Sequence, residues 1–181
     1  MDAELPRAST VMPPIVRVFF DGACEPARGG GIATYGFVVQ GEGIEHEECG
    51  LAVAPWSPRA TNNVAEYTAA IRALEWLRSR RFSGTVVLMG DSQLVVRQMQ
   101  GEYEVRAEHL RAYHAHLTTL SKEFTETKFA WIPRTQNTRA DALSKQAIAE
   151  AAPSAQRHRA AAPVEPVEED DPPDGPRVEE Q

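Results

Sequence analysis

The stretch IVRVFFDGAC, residues 15–24, begins with six residues of which only Arg17 is polar, and it then changes abruptly to Asp21-Gly22. A nearly continuous apolar run of this length is typical of a β-strand that is covered on both faces. In α/β proteins, ligands bind beyond the carboxyl ends of such strands. The stretch therefore predicts a buried strand that ends at Asp21, and it makes Asp21 a candidate site residue.

The segments around this strand predict a mixed sheet with helices packed on it. Two further apolar segments follow it across short turns, and helical and strand-like spacings alternate after them. Hairpin-linked strands followed by alternating βα units are typical of the α/β class. The predicted strands are residues 15–20, 31–40, 43–53, 85–89 and 128–132, and the predicted helices are residues 63–79, 92–100, 107–124 and 138–149.

The size and charge of the chain allow one domain that can contact nucleic acid. Its 181 residues, 42% of them hydrophobic, are enough for one ordinary core. The formal net charge of -7 argues against a nucleic-acid partner, because phosphate binders are usually basic. Residues 163–181 carry this whole net charge, however, so the preceding residues are neutral overall. A neutral domain can bind phosphates through clustered positive charge or through metal ions.

Composition divides the chain into three parts. Residues 1–14 contain three prolines and no periodic apolar pattern, which predicts a loose leader. Residues 15–150 form the predicted domain. Residues 151–181 are rich in alanine and proline and become acidic, which predicts a disordered tail. We expect this tail to discourage unproductive nucleic-acid contact or to bind a partner protein.

The sequence also predicts a cytoplasmic protein. Cys24 and Cys49 are too few for a disulfide scaffold, and the N-terminal residues do not resemble a secretory signal. No apolar run approaches the roughly 20 residues that a transmembrane helix needs. We therefore expect no membrane contact, and we expect a monomer.

Three acids occupy positions that suit a metal site. Asp21 and Asp91 each follow an apolar strand, and Glu66 begins the small-residue face of a predicted helix, so its carboxylate is expected to point inward. Burying a carboxylate without a partner costs several kcal/mol. Divalent cations are suitable partners, and ligation by carboxylate oxygens alone favours Mg²⁺ or Mn²⁺ over zinc.

Each acid also has a purely structural interpretation. Acids are common in turns and at helix N-termini, so any one of these positions, taken alone, fits a structural role better. Capping does not explain why strand ends and an inward-facing helix position all carry acid in one chain. The structural alternatives are a turn for Asp21-Gly22, an N-cap for Asp91, a capping box for Asn63 to Glu66, and a capping box or an ion pair with Lys145 for Asp141.

Four segments, taken together, resemble the type 1 ribonuclease H family. They occur in the family's order across residues 15–149, and four segments in order are far more specific than one. The resemblance is closest to the compact archaeal-type branch. The segments are FFDGAC (residues 19–24), TNNVAE (61–66), GDSQ (90–93) and WIPR (131–134), the last followed by Asn137, Ala140-Asp141 and Leu143-Ser144.

The resemblance implies a fold, an activity and a ligand set. The fold is retroviral-integrase-like, with a five-stranded mixed sheet flanked by helices. Asp21, Glu66, Asp91 and Asp141 become the catalytic residues and the ligands of two ions, Mg²⁺ or Mn²⁺. The implied reaction cleaves the RNA strand of an RNA/DNA hybrid, leaving a 5′-phosphate and a 3′-hydroxyl. The alternatives are a catalytically silent hybrid-binding module and a nuclease acting on double-stranded RNA or DNA junctions.

The resemblance also implies contacts with the hybrid, where the 2′-hydroxyl distinguishes RNA from DNA. Asn62 and Asn63 have turn or N-cap roles as alternatives. The bacterial type carries a histidine in the loop before the last acid, whereas residues 133–137 here contain none. Arg134 lies there instead, as a candidate catalytic contact to phosphate or as a solvated surface arginine. The implied substrate-binding residues are Gly22, Ala23, Cys24, Asn62, Asn63, Gln93 and Asn137.

Overall fold

Five strands and four helices make up the part of the chain that the structure, a computed structural model, describes: residues 13–27 and 29–159. A short 3₁₀ turn at Arg134–Gln136 precedes the last helix. The strands are β1 (Ile15–Glu25), β2 (Ile32–Gly41), β3 (Ile44–Leu51), β4 (Thr85–Gly90) and β5 (Glu126–Trp131), and the helices are α1 (Asn62–Ser79), α2 (Gln93–Met99), α3 (Glu108–Ser121) and α4 (Thr138–Arg159).

The strands form one mixed sheet in the order β3-β2-β1-β4-β5. β1 pairs antiparallel with β2 and parallel with β4, while β3 and β5 form the two edges. Val16, Val18 and Phe20 of β1 are fully buried, as expected of the central strand. The predicted α/β class and five-stranded mixed sheet are confirmed.

The helices α1 and α4 lie on opposite faces of this sheet. A Cβ atom at Gly22 would lie 2.2 Å from the backbone N of Glu66 on α1, and one at Gly36 would lie 2.6 Å from the backbone N of Ser144 on α4. Gly36 pairs with Asp21, the neighbour of Gly22, and neighbouring strand residues face opposite sides. Both helices therefore approach the sheet backbone where the strand carries Asp21.

β1 continues four residues beyond Asp21. Its antiparallel ladder with β2 extends to Glu25, which pairs with Ile32, so backbone pairing rather than apolar content determines where the strand ends. The parallel ladder with β4 stops earlier, at Phe19 and Met89. The prediction that Asp21 ends its strand is therefore wrong, but Asp21 does lie just beyond the point where the parallel pairing ends.

The last helix is also longer than predicted. α4 extends to Arg159, ten residues beyond the predicted helix end at residue 149. Alanine-rich segments have high helix propensity, and this one is anchored. Ala155 is 1% exposed, and its carbonyl accepts a 2.8 Å hydrogen bond from Nε1 of Trp56. The leader up to residue 12 and the tail from residue 160 lie outside the described residues.

A charged side chain at Ala155 is expected to destabilise the protein. Ala155→Glu would place a carboxylate in a contact without room for it, which costs about 2 kcal/mol of unfolding free energy or more. Ala149→Glu on the exposed side of the same helix is the matched control and is expected to change stability by less than about 0.5 kcal/mol. Urea denaturation followed by circular dichroism measures both. Equal effects would show that the last turns of α4 are not packed on the domain.

Candidate active site

Asp21 is buried in the middle of β1, although it is an acid. It is 4% exposed, and its Oδ2 accepts a hydrogen bond from the hydroxyl of Ser144 on α4. Because Gly36, its partner on β2, has no side chain, α4 can come close enough for this bond. The sheet and α4 together therefore determine the position of this carboxylate.

Glu66 comes from α1 and faces the sheet, as its helix position predicts. The N-cap of α1 is Thr61, whose side chain accepts a hydrogen bond from the N–H of Val64 at 3.2 Å. The alternative of a capping box from Asn63 to Glu66 is therefore wrong. Glu66 is 9% exposed, and its Oε2 is buried with no hydrogen-bond partner.

Asp91 follows β4 directly and is not a helix cap. Ser92 is the N-cap of α2, because its side chain accepts a hydrogen bond from the N–H of Val95. Asp91 is held from two sides instead. Its carbonyl accepts a 3.1 Å hydrogen bond from Nε1 of Trp131, and its Oδ1 accepts a 3.0 Å bond from Nδ2 of Asn137.

These three acids form one cluster. Asp21, Glu66 and Asp91 each offer a carboxylate oxygen, and these oxygens all lie within 4.8 Å of one another. They open into a cleft of about 550 Å³. The cleft is lined by Asp21, Gly22, Ala23, Cys24, Glu25, Ala27, Asn62, Glu66, Asp91, Arg134, Lys145 and Ile148.

Burial and mutual repulsion raise the pKa values of Asp21 and Glu66. The pKa of Asp21 is raised to about 7, first by burial and then by the negative charges of Asp91 and Asp141, against the opposing effect of its hydrogen bond from Ser144. The pKa of Glu66 lies well above its ordinary value, first because of burial and then because Asp21 and Asp91 are close. The hydrogen bonds from Ser144 and Gly22 and the charge of Arg134 lower these pKa values only in part, so the protein does not fully compensate the negative charge of Asp21 and Glu66.

The cluster has the chemistry of a divalent-cation site. Three convergent carboxylates present only oxygen ligands, which suit hard cations such as Mg²⁺ and Mn²⁺. The buried Oε2 of Glu66 has no protein partner, and burying such an atom unpaired is costly unless a cation compensates it. The described residues therefore fit a bound divalent cation at this position.

Asp141 lies beside this cluster but is paired with cations of the protein itself. Its Oδ1 contacts Nη2 of Arg134 and its Oδ2 contacts Nζ of Lys145 at 2.7 Å, so the predicted ion pair with Lys145 is present. Burial alone would raise its pKa, yet the hydrogen bonds from Lys145 and Arg134 outweigh burial and lower it. Asp141 is therefore ionised, and it lies outside the three-carboxylate group.

The residues implied to bind substrate divide into two groups. Gly22, Ala23, Cys24 and Asn62 line the cleft, and Arg134 reaches it with a side chain that is 67% exposed. The side chain of Cys24 is buried and donates to the carbonyl of Ala60, so its backbone rather than its thiol is available to a ligand. Asn63, Gln93 and Asn137 are not part of the cleft wall.

Asn137, which the resemblance implies to bind substrate, makes buried hydrogen bonds within the protein. It is 1% exposed, and its Nδ2 donates both to the carbonyl of Phe20 at 2.9 Å and to Asp91. This amide nitrogen is used inside the protein, and the substrate contact implied for Asn137 stays a prediction. Asn137 contacts the cluster from within the protein.

Ser144 is the residue of the site to which the sequence assigned no function. Ser144 is fully buried and donates to Asp21. Its sequence signal is the spacing of three from Asp141, which places both residues on the side of α4 that faces the strand-borne acids. That signal depends on knowing which side of α4 meets β1.

The sheet order and the acidic cleft define a protein of the RNase H-like fold class, and the comparisons specify the family. A family model described as reverse transcriptase-like matches residues 19–147. Ribonuclease HI of Halobacterium salinarum is 38% identical over 138 residues, 75% of this chain and 65% of the relative. The chain belongs to the type 1 ribonuclease H family.

Two solved structures are similar to this chain over nearly their whole length. The N-terminal RNase H domain of a Mycobacterium tuberculosis protein, solved as a fusion, has a TM-score of 0.68 and 32% identity, covering 78% of this chain and 99% of that one. LC11-RNase H1 in complex with RNA/DNA hybrid has a TM-score of 0.66 and 35% identity, covering 75% and 98%. The chain spans only 26% of the full-length mycobacterial proteins that it matches.

The described helices also bear on membrane contact. Among residues 13–27 and 29–159, no helix combines the length and the apolar composition needed to cross a bilayer.

The metal-free protein is expected to lose stability as the pH rises. The folded-state pKa of Asp21, about 7, exceeds the ordinary value of 3.8, so the folded state binds this proton more tightly than the unfolded state. The resulting stabilisation is complete below about pH 4 and is lost as the pH rises through 7. We expect unfolding free energy in EDTA to fall by a few kcal/mol between pH 5 and 8.

Two comparisons check the origin of this effect. Asp21→Asn is expected to weaken the fall, leaving the part that Glu66 contributes in the same direction. Added Mg²⁺ is expected to restore stability at pH 8 in the wild-type protein, because the cation binds only the folded state. Urea denaturation across the pH range measures both. An identical pH slope in the wild type and Asp21→Asn would contradict the assignment.

Proposed function

We propose that this protein is an endoribonuclease that hydrolyses the RNA strand of RNA/DNA hybrids with two bound Mg²⁺ or Mn²⁺ ions. The observation that carries the proposal is the convergence of three carboxylates around the unpaired, buried Oε2 of Glu66. Membership of the type 1 ribonuclease H family supports it, as does LC11-RNase H1, a relative solved in complex with RNA/DNA hybrid.

The four acids would act together as ligands of the ions. Asp21, Glu66 and Asp91 converge and supply the inner ligands. Asp141 adds a fourth carboxylate at the rim by exchanging Arg134 or Lys145 for a cation. When bound, the ions supply activation of water for in-line attack on the phosphodiester and stabilisation of the leaving 3′-oxygen. Cleavage of the bond to that oxygen leaves a 5′-phosphate and a 3′-hydroxyl.

Residues around the cleft would position the hybrid. Asn62 lies in the cleft wall, where its Nδ2 donates to the carbonyl of Ala27 at 3.2 Å, and its side-chain oxygen would accept from a ribose hydroxyl. The absence of a side chain at Gly22 lets the backbone of α1 approach β1, which brings Glu66 to the cleft. These contacts would recognise the 2′-hydroxyl that distinguishes RNA from DNA.

Arg134 and Lys145 would supply positive charge for phosphate. Both line the cleft, and both pair with Asp141. If Asp141 held a cation, Arg134 and Lys145 would be available to contact the phosphates of the hybrid. The region between α2 and α3 that carries basic residues in some bacterial members has Glu102, Glu104 and one arginine here. Affinity for the hybrid would therefore depend mainly on the residues of the cleft.

We also propose that the protein acts in the cytoplasm and as a monomer.

The proposal predicts that Asp91→Asn lowers the rate of cleavage of a labelled RNA/DNA hybrid by more than about 100-fold, because the amide cannot replace a charged metal ligand. Glu126→Gln, at the opposite end of the sheet, is the control and is expected to retain wild-type activity. EDTA is expected to stop the wild-type enzyme. Wild-type turnover in Asp91→Asn would refute the assignment, and hybrid binding without any metal-dependent cleavage would indicate a silent binding module.

Substrate preference is measured with RNA/DNA, RNA/RNA and DNA/DNA duplexes of one sequence. We expect turnover on RNA/DNA to exceed the other two, since the cleft must accept a 2′-hydroxyl on one strand only. Faster cleavage of RNA/RNA or of DNA junctions would contradict the proposed substrate class. The assignment of the metal site would still stand.

Asp141 is expected to behave differently from Asp91. Asp141→Asn should lower kcat while Mg²⁺ still raises the melting temperature, because Asp141 lies outside the three-carboxylate group. Asp91→Asn should lose both responses. Thermal melting with and without Mg²⁺, combined with hybrid cleavage, separates the two variants. Identical behaviour of the two would place Asp141 among the inner ligands.

A further inference from the structure

Each of the three clustered acids interacts with one donor of the protein. Asp21 accepts from the hydroxyl of Ser144, Asp91 accepts from the amide of Asn137, and Glu66 interacts with the backbone N–H of Gly22. Within the described ranges, no second donor forms a hydrogen bond with the carboxylate of Asp21 or with that of Asp91. In each of these carboxylates, one oxygen is held by a donor of the protein and the other is available to a ligand.

The hydroxyl of Ser144 has one proton and two acceptors within reach. Its Oγ lies 2.5 Å from Oδ2 of Asp21 and 2.9 Å from the backbone carbonyl of Asp141. A charged acceptor forms a stronger hydrogen bond than a neutral carbonyl. When Asp21 is ionised, as a metal ligand must be, the proton of Ser144 therefore points at Asp21.

The backbone of Ser144 is fixed to the strand pair that carries Asp21. Its carbonyl accepts a buried 2.7 Å hydrogen bond from Oγ1 of Thr34 on β2. Its backbone N lies 2.6 Å from the position that a Cβ of Gly36 would occupy, and Gly36 pairs with Asp21 in the ladder. Both ends of the hydrogen bond between Ser144 and Asp21 are thus attached to the same two strands.

We propose that Ser144 is a positioning residue of the metal site, whose hydroxyl orients the carboxylate of Asp21 towards Glu66 and Asp91. The inference rests on the proposed function, since it assumes that these acids hold cations. The terminal torsion of an aspartate is broad, so an unrestrained carboxylate samples many orientations. Donors that orient metal-binding carboxylates are typically worth 10- to 100-fold in metal affinity.

The experiment measures Mg²⁺ binding by its effect on melting temperature, without any nucleic acid, and measures hybrid cleavage separately. Ser144→Ala removes the hydroxyl, and Ser144→Cys keeps the branching of the side chain but replaces the hydroxyl with a larger thiol, which is a weak donor. Ser121→Ala is the matched control, because Oγ of Ser121 donates to the carbonyl of Leu117 at 2.7 Å on a helix away from the cleft.

Both Ser144 variants are expected to need about tenfold more Mg²⁺ for half of the maximal thermal shift and for half of the maximal cleavage rate. At saturating Mg²⁺, KM for the hybrid should be unchanged and kcat should recover to within a few-fold of the wild type. Ser121→Ala should match the wild type in all of these measurements. A role in folding alone would instead lower the melting temperature without changing the Mg²⁺ midpoint.

An unchanged Mg²⁺ midpoint in both Ser144 variants, with a normal response in the wild type, would overturn the positioning role and leave the proposed function intact. A wild-type protein that shows neither a thermal response to Mg²⁺ nor cleavage would overturn the proposed function itself. Should Ser144→Ala fail to fold, Ser144→Cys decides the question by the same midpoint.

Discussion

The electrostatic repulsion between three clustered carboxylates is the constraint on which the rest of the structure depends. Oxygens of Asp21, Glu66 and Asp91 lie within 4.8 Å of one another, and the burial of Asp21 and Glu66 removes water that would screen their charges. Such an arrangement persists only if the surrounding elements hold it against relaxation. The free energy that packing supplies elsewhere is therefore partly used to keep this site assembled.

Several elements share that task, and each contributes a different kind of restraint. The β1–β2 ladder fixes the backbone of Asp21, the N-cap at Thr61 fixes the start of the helix that carries Glu66, and Trp131 and Asn137 hold Asp91 from its carbonyl and its carboxylate. Because these restraints come from distant parts of the sequence, the site exists only in the folded domain.

The sequence predicted the parts of this arrangement that depend on local patterns. The apolar run of β1, the acid after β4 and the inward face of α1 all follow from spacing, and the four-segment resemblance placed them in one family. The extension of β1 to Glu25 escaped prediction because a ladder partner, not composition, determines it. The last turns of α4 escaped it because their stability comes from docking near Trp56, a contact separated by 99 residues.

The roles of individual polar side chains were harder to predict than the acids themselves. The sequence gives Asn137 a place in a motif, but only the packing of the segment before α4 shows that its amide is turned inward to Asp91. For Ser144, a neighbour of a motif acid, the function depends on which side of α4 meets β1. Questions of orientation between elements are decided by tertiary contacts, which a single sequence does not display.

The two glycines that allow the helices to approach have a consequence for how this protein can vary. Positions 22 and 36 lie on neighbouring strands and face opposite helices, and a methyl group at either would overlap backbone atoms. Backbone cannot move aside as a flexible side chain can, so no compensating substitution nearby restores the space. Any library that randomises the surroundings of the cleft should leave both positions untouched, since variation there would remove folded protein before it altered specificity.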